Sequence, residues 1–197
     1  MMGIKDSEFC NLWIESYKSF RSKGRDEFWN EHSVKIPSKI AKEHPEKITI
    51  IESDAFFQPD WTKDGLKKLG YQVIGHKLVQ DDMHQIATTI RGAIEEEIDL
   101  IVTTGGTGVS PFDVTPEATK PLIERAIPGF MEAMRAYSRE KVPTADLTRG
   151  LAGVNGKSLI INLPGSPGAV KDGLVIIERL AGHIFDQLAG NDHSASN

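Results

Sequence analysis

DLIVTTGGTGVSPFDVTPEAT, residues 99–119, decides how this chain is to be read. It opens on a run, Asp99 to Thr104, whose apolar continuity suits a strand covered on both faces. Gly105, Gly106 and Gly108 follow within four positions. Glycine costs conformational entropy, but it permits positive φ and lets backbone approach a ligand closely. Thr115 then reads as the N-cap of a helix and Pro116 as its first residue. Strand, glycine turn and helix in that order predict an α/β unit.

The pattern repeats on both sides. KITIIE (47–52) and YQVIGHKLV (71–79) are strand candidates, with a short helix at 62–69 between them. Residues 82–97 set Met83, Ile86, Ile90 and Ile94 on one helical face. A helix runs from about Gly129 to Glu140, and SLIINL (158–163) is a further strand. The last helix, 168–189, carries Val170, Leu174, Ile177, Leu180, Ile184 and Leu188 on one stripe. Strands alternating with helices predict a three-layer αβα domain with a mostly parallel sheet, over residues 46–190.

Residues 1–45 differ in character. Phe9, Leu12, Trp13, Tyr17 and Phe20 recur at helical spacing, and a Pro- and Lys-containing stretch follows, so a helical extension and linker are expected. Residues 191–197 read as a flexible tail. A net charge of −5 argues against a nucleic-acid partner. One cysteine, Cys10, excludes an internal disulfide and points to a reducing, cytoplasmic setting. No apolar stretch is long enough to span a membrane, and the six histidines form no HExxH or close pair.

Ligands of open α/β sheets bind beyond the carboxyl ends of the strands. Both glycine-rich segments fall there: Gly105–Gly108, and Pro164, Gly165, Ser166, Pro167 and Gly168 at the start of the last helix. That helix start favours an anion through its exposed N–H groups and its dipole. Neither segment is a GxGxxG or P-loop motif. Asp81, Asp82 and Asp113 occupy the same sheet end. Asp81 and Asp113 would suit Mg²⁺, which takes one or two carboxylates plus substrate phosphates. Alternatively, Asp81 or Asp82 caps helix 82–97 and Asp113 is a turn residue.

TTGGTG, DVTPEAT, PGF (128–130), PTADLTRGLAGV (143–154) and LPGSPGAV stand together in one order and spacing. In that combination the chain, from about Lys47 to Gly190, resembles the molybdenum cofactor biosynthesis family of molybdopterin adenylyltransferases, the MoaB/MogA proteins. The resemblance implies transfer of AMP from MgATP to the terminal phosphate of molybdopterin, with release of pyrophosphate. It also implies a homotrimer and delivery of the product to a molybdenum-insertion protein. By matching motif, Asp81 (in VQDD) and Asp113 take the catalytic and Mg²⁺-binding positions. Ser53, Asp54, Thr104, Gly105, Gly106, Thr107, Gly108, Ser110, Thr115, Thr148, Pro164, Gly165, Ser166 and Gly168 take substrate-binding positions. Thr148 stands where a serine usually precedes the arginine, here Arg149.

Residues 54–63 depart from the pattern. Trp61-Thr62-Lys63 replaces an expected residue-Ser-Gly, and a lysine lacks glycine's backbone freedom. A catalytically silent molybdopterin-binding or scaffolding relative is therefore the alternative reading. A cradle turned to another nucleotide or phosphate substrate is a third.

Overall fold

A computed structural model of the chain describes residues 46–53 and 61–191. The expected N-terminal helix, Asp54 with the rest of the 54–60 loop, and the tail from 192 lie outside the described residues.

Six strands form one mixed sheet: β1 (Lys47–Ser53), β2 (Gln72–Val79), β3 (Leu100–Thr104), β4 (Arg125–Ala126), β5 (Ala152–Asn155) and β6 (Ser158–Leu163). Their order across the sheet is β2-β1-β3-β6-β5-β4. β1 pairs parallel with β2 and β3, and β3 pairs parallel with β6. β5 and β4 add an antiparallel edge. The helices are α1 (Trp61–Lys68), α2 (Met83–Glu95), α3 (Thr115–Thr119), α4 (Pro128–Arg139) and α5 (Pro167–Leu188). The α/β three-layer expectation holds, and the four strands read from the sequence, β1, β2, β3 and β6, fall within a residue or two of their expected bounds.

Every residue of β3 and β6 is buried, which explains why their sequences run apolar without alternation. On one face Ile51, Ile101 and Ile160 pack with Ile86, Ile90 and Ala93 of α2 and Ala118 of α3. On the other, α5 lies so close that a Cβ on Gly173 would stand 2.5 Å from Leu163 Cδ2, and one on Gly65 of α1 would meet Leu174 Cδ1. The buried stripe of α5 continues through Ala181 and Phe185 rather than through Leu180, Ile184 and Leu188, which are half-buried. Phe185 is drawn inward by an edge-to-face contact with Tyr71, their ring centroids 6.5 Å apart.

The β5–β6 hairpin has no helical crossover to announce it. Its signal is local: Gly156-Lys157, with Gly156 at φ 55°, forms the two-residue turn between the paired Asn155 and Ser158. β4 is two residues long and carries no periodicity at all.

The connectivity decides where a ligand fits. After β1 the chain passes to α1, on the α5 face. After β3 it passes to α3, on the α2 face. β1 and β3 are neighbours, and the helices that next follow them in the chain, α1 and α3, lie on opposite faces. That divergence is the topological switch point at which such sheets open a crevice.

Candidate functional site

The loop after β3 begins with two residues in left-handed backbone, Gly105 at φ 92° and Gly106 at φ 61°. A side chain at either position would be strained, so the glycine pair is a requirement of the turn. The Gly105 N–H donates to Leu163 C=O at 3.0 Å, which joins this loop to the end of β6. The Thr115 N–H donates to Gly106 C=O at 3.1 Å and closes the loop at its base. Within it, the Asp113 carboxylate Oδ2 accepts from the Ser110 N–H at 2.8 Å, and the Asp113 N–H donates to Ser110 C=O at 3.0 Å. The Ser110 hydroxyl accepts from the Phe112 N–H at 3.3 Å. Gly108 lies against the Asp113 carboxylate and has no room for a side chain.

Thr115 is not the N-cap of α3. Val114 holds that place, with no side-chain cap bond, and Thr115 and Pro116 are the first helical residues. The reason is burial: Thr115 is wholly enclosed, and its carbonyl accepts from the Thr119 hydroxyl at 2.8 Å. Thr104 and Thr107 are also buried. The Thr107 hydroxyl accepts from the Thr148 hydroxyl at 3.2 Å, which ties the loop to the 143–150 segment.

The second glycine segment leaves β6, next to β3. Pro164 and Gly165 are half-buried, and Ser166 and Gly168 are exposed. Ser166 is the N-cap of α5, its hydroxyl accepting from the Ala169 N–H at 3.4 Å. A helix of this length presents the positive end of its dipole beside the β3 loop.

The two acidic residues stand differently. Asp82, not Asp81, caps α2, accepting from the Gln85 N–H at 2.7 Å. That leaves Asp81 exposed at the rim beyond β2. Asp113 belongs to the loop of β3. β1 lies between those strands, which puts their axes roughly 10 Å apart. Ser53 ends β1 between them, aligned with Val79 of β2. Lys63 falls inside α1, in ordinary helical backbone, so that position needs no glycine.

Chemically, this rim offers backbone N–H groups, a helix N-terminus and hard carboxylate oxygens. Phosphate recognition uses the first two, and Mg²⁺ shared with phosphates uses the third. Among the described residues no group of three or more His, Cys, Asp or Glu gathers to hold a metal. An Mg²⁺ ion needs only one or two protein carboxylates when phosphate and water supply its remaining ligands.

Residues 59–181 match the family model described as "Probable molybdopterin binding domain". The chain belongs to the molybdopterin-binding-domain family. It is 43% identical over 117 residues to the molybdopterin adenylyltransferase of Helicobacter pylori, an alignment covering 59% of this chain and 66% of that protein. It is 32% identical over 171 residues to the molybdenum cofactor biosynthesis bifunctional protein of Chlorobaculum tepidum, covering 83% of this chain and 55% of that one. The chain thus spans only part of these relatives, between 55% and 66% of their length. The structure of the molybdopterin biosynthesis Mog protein of Mycobacterium ulcerans superposes with a TM-score of 0.71 at 38% identity, covering 75% of this chain and 99% of that one.

Two features of this molybdopterin-binding domain escaped the sequence reading. Arg149 Nε donates to Gly108 C=O at 2.5 Å, its Nη2 donates to Asp113 C=O at 2.6 Å, and its Nη1 pairs with the Glu117 carboxylate. The Arg149 side chain, chiefly through its hydrogen bond, holds the Glu117 carboxyl below the ordinary range, against the opposing effect of burial. No local signal links residues 32 to 41 positions apart. The second feature is Glu52, buried at the end of β1 and 3.0 Å from His76 Nε2 on β2. Here a signal existed: strand alternation puts Glu52 on the face of Ile48 and Ile50, where an acid needs a partner.

Proposed function

We propose that this chain transfers AMP from MgATP to the terminal phosphate of molybdopterin. In that reaction a phosphate oxygen of molybdopterin attacks the α-phosphorus of ATP and forms a P–O–P bond. The bond from the α-phosphorus to the oxygen bridging to the β-phosphate breaks, and pyrophosphate leaves with that oxygen. Nucleotidyl transfer rests mainly on positioning and charge neutralisation. Bound Mg²⁺ would supply the latter on the phosphate chain, and Asp113 and Asp81 are the residues that would hold it.

The observation that carries the reading is the fixed Asp113 carboxylate, set by Ser110 N–H and Gly108 in a loop bonded to Leu163 at the end of β6, just before the second glycine segment. The N–H groups of Gly106, Thr107 and Gly108, with those of Ser166 and Gly168 at the start of α5, are the proposed cradle for the phosphates. The names carried by the Helicobacter pylori relative and the Mycobacterium ulcerans neighbour support the same substrate. A homotrimer in the cytoplasm, passing its product to a molybdenum-insertion protein, completes the proposal.

The test is pyrophosphate release from ATP, Mg²⁺ and molybdopterin. Asp113→Ala should lower the rate by roughly a thousandfold or more with far-UV circular dichroism unchanged, a loss of ~4 kcal/mol of transition-state stabilisation. Tight molybdopterin binding without turnover in the parent protein would replace this reading with the silent-binder one.

A further inference from the structure

We propose that Arg149 is a positioning residue, which sets the Asp113 loop through its carbonyls instead of holding substrate phosphate. The inference rests on the adenylyl-transfer reading only for its kinetic arm. One guanidinium reaches three separated points of the loop and the helix behind it: Gly108 C=O, Asp113 C=O and the Glu117 carboxylate. The Arg149 backbone N–H adds a fourth tie, to Thr107 C=O at 2.8 Å. The neighbouring Thr148 hydroxyl meets Thr107, and Arg135 Nη1 donates to Thr148 C=O at 3.3 Å, which anchors the segment to α4.

The geometry explains why an arginine is needed. The chain from Gly105 to Thr115 is fixed at its ends by the Gly105–Leu163 and Gly106–Thr115 bonds, but its middle reaches outward, with Val109 and Phe112 exposed. Without a cross-brace the position of Asp113 would depend on its two bonds to Ser110, which lies in the same loop. The planar fork of arginine presents its N–H groups in fixed directions, so three acceptors are held at set distances from one another. A lysine ammonium is a point donor on a flexible stem and cannot span them. The pairing with Glu117 offsets the positive charge, which further weakens Arg149 as an attractor of phosphate.

Hydrogen exchange on the ligand-free full-length chain provides the first readout. In Arg149→Lys, amides of residues 107–113 should exchange at least tenfold faster, while those of β3 and β6 keep their rates. Glu117→Ala, which removes one anchor and leaves the guanidinium in place, should give about a two- to threefold increase. Kinetics provide the second: Arg149→Lys should lower kcat tenfold or more with KM for ATP within about twofold. Unchanged exchange in the 107–113 loop in both variants would overturn the proposal. So would a rise in KM for ATP with kcat preserved, the signature of a lost phosphate ligand. Because exchange needs no turnover, an inactive parent protein would defeat the adenylyl-transfer reading and leave this test standing.

Discussion

Gly108 and Asp113 occupy one another's space: a Cβ on residue 108 would lie 2.9 Å from Asp113 Oδ2 and 3.4 Å from its Cγ. The carboxylate cannot simply swing aside, because the Ser110 N–H holds the same oxygen at 2.8 Å. Gly108→Ala is therefore expected to displace Asp113 while costing only about 1–2 kcal/mol of stability, since the site is at the rim and partly open. Pyrophosphate release should fall by at least tenfold. Activity within twofold of the parent would show that the carboxylate's place is not set by this contact.

Gly150, beside Arg149, has a different constraint. A Cβ there would stand 2.6 Å from the Asn162 carbonyl oxygen and 3.0 Å from Met131 Cε. A strand carbonyl is not free to yield, so Gly150→Ala must push the 148–151 segment off β6. The expected cost is about 2–3 kcal/mol, read from the urea midpoint. A loss below half a kcal/mol would mean that the segment moves without resistance.

Asn162 holds a buried polar junction between the sheet and α3. Its Nδ2 donates to the Thr103 hydroxyl at 2.9 Å and to the Thr119 hydroxyl at 3.0 Å, and its Oδ1 accepts from the Leu151 N–H at 3.2 Å. Asn162→Ala leaves those groups without this partner in the interior and should cost about 2–4 kcal/mol. Asn162→Asp should cost more at neutral pH, because a carboxylate cannot donate to either hydroxyl and would be charged in the core. An aspartate variant as stable as the parent would contradict the donor assignment.

Lys171 gives a pH dependence with a definite sign. Burial lowers its pKa from 10.5 to about 8; the Asp172 carboxylate opposes the shift and the Lys141 ammonium adds to it. Asp172 is itself engaged by Lys141 Nζ at 2.7 Å. The folded value lies below the unfolded one, so between about pH 8 and 10.5 the unfolded chain binds more protons at this residue. Its contribution to stability therefore grows as pH rises through that window and is constant below it. The difference in thermal midpoint between the parent and Lys171→Gln should shift in favour of the parent from pH 7.5 to pH 10. Parallel curves across that range would refute the assignment.

Much of this was legible along the chain, because the information was local. The apolar runs of β3 and β6, the helical stripe with Ile86 and Ile90, and the glycine pair 105–106 each follow from the period or backbone freedom of adjacent residues. The motif order placed Asp81, Asp113 and the two glycine segments at one end of the sheet, and the parallel pairing of β1, β2, β3 and β6 puts them there. The choice of Asp82 over Asp81 as the cap of α2 needed coordinates, since either residue satisfies the same one-dimensional rule.

What the sequence determined by itself was the succession of strands, turns and helices, and with it the class of the fold. Tertiary structure alone decided that Arg149 braces the loop of Asp113, that Asn162 joins β6 to α3, and that Glu52 answers His76. The physical reason is separation: a hydrogen bond between residues tens of positions apart depends on how the sheet brings their strands together, and no periodicity within either segment encodes the meeting.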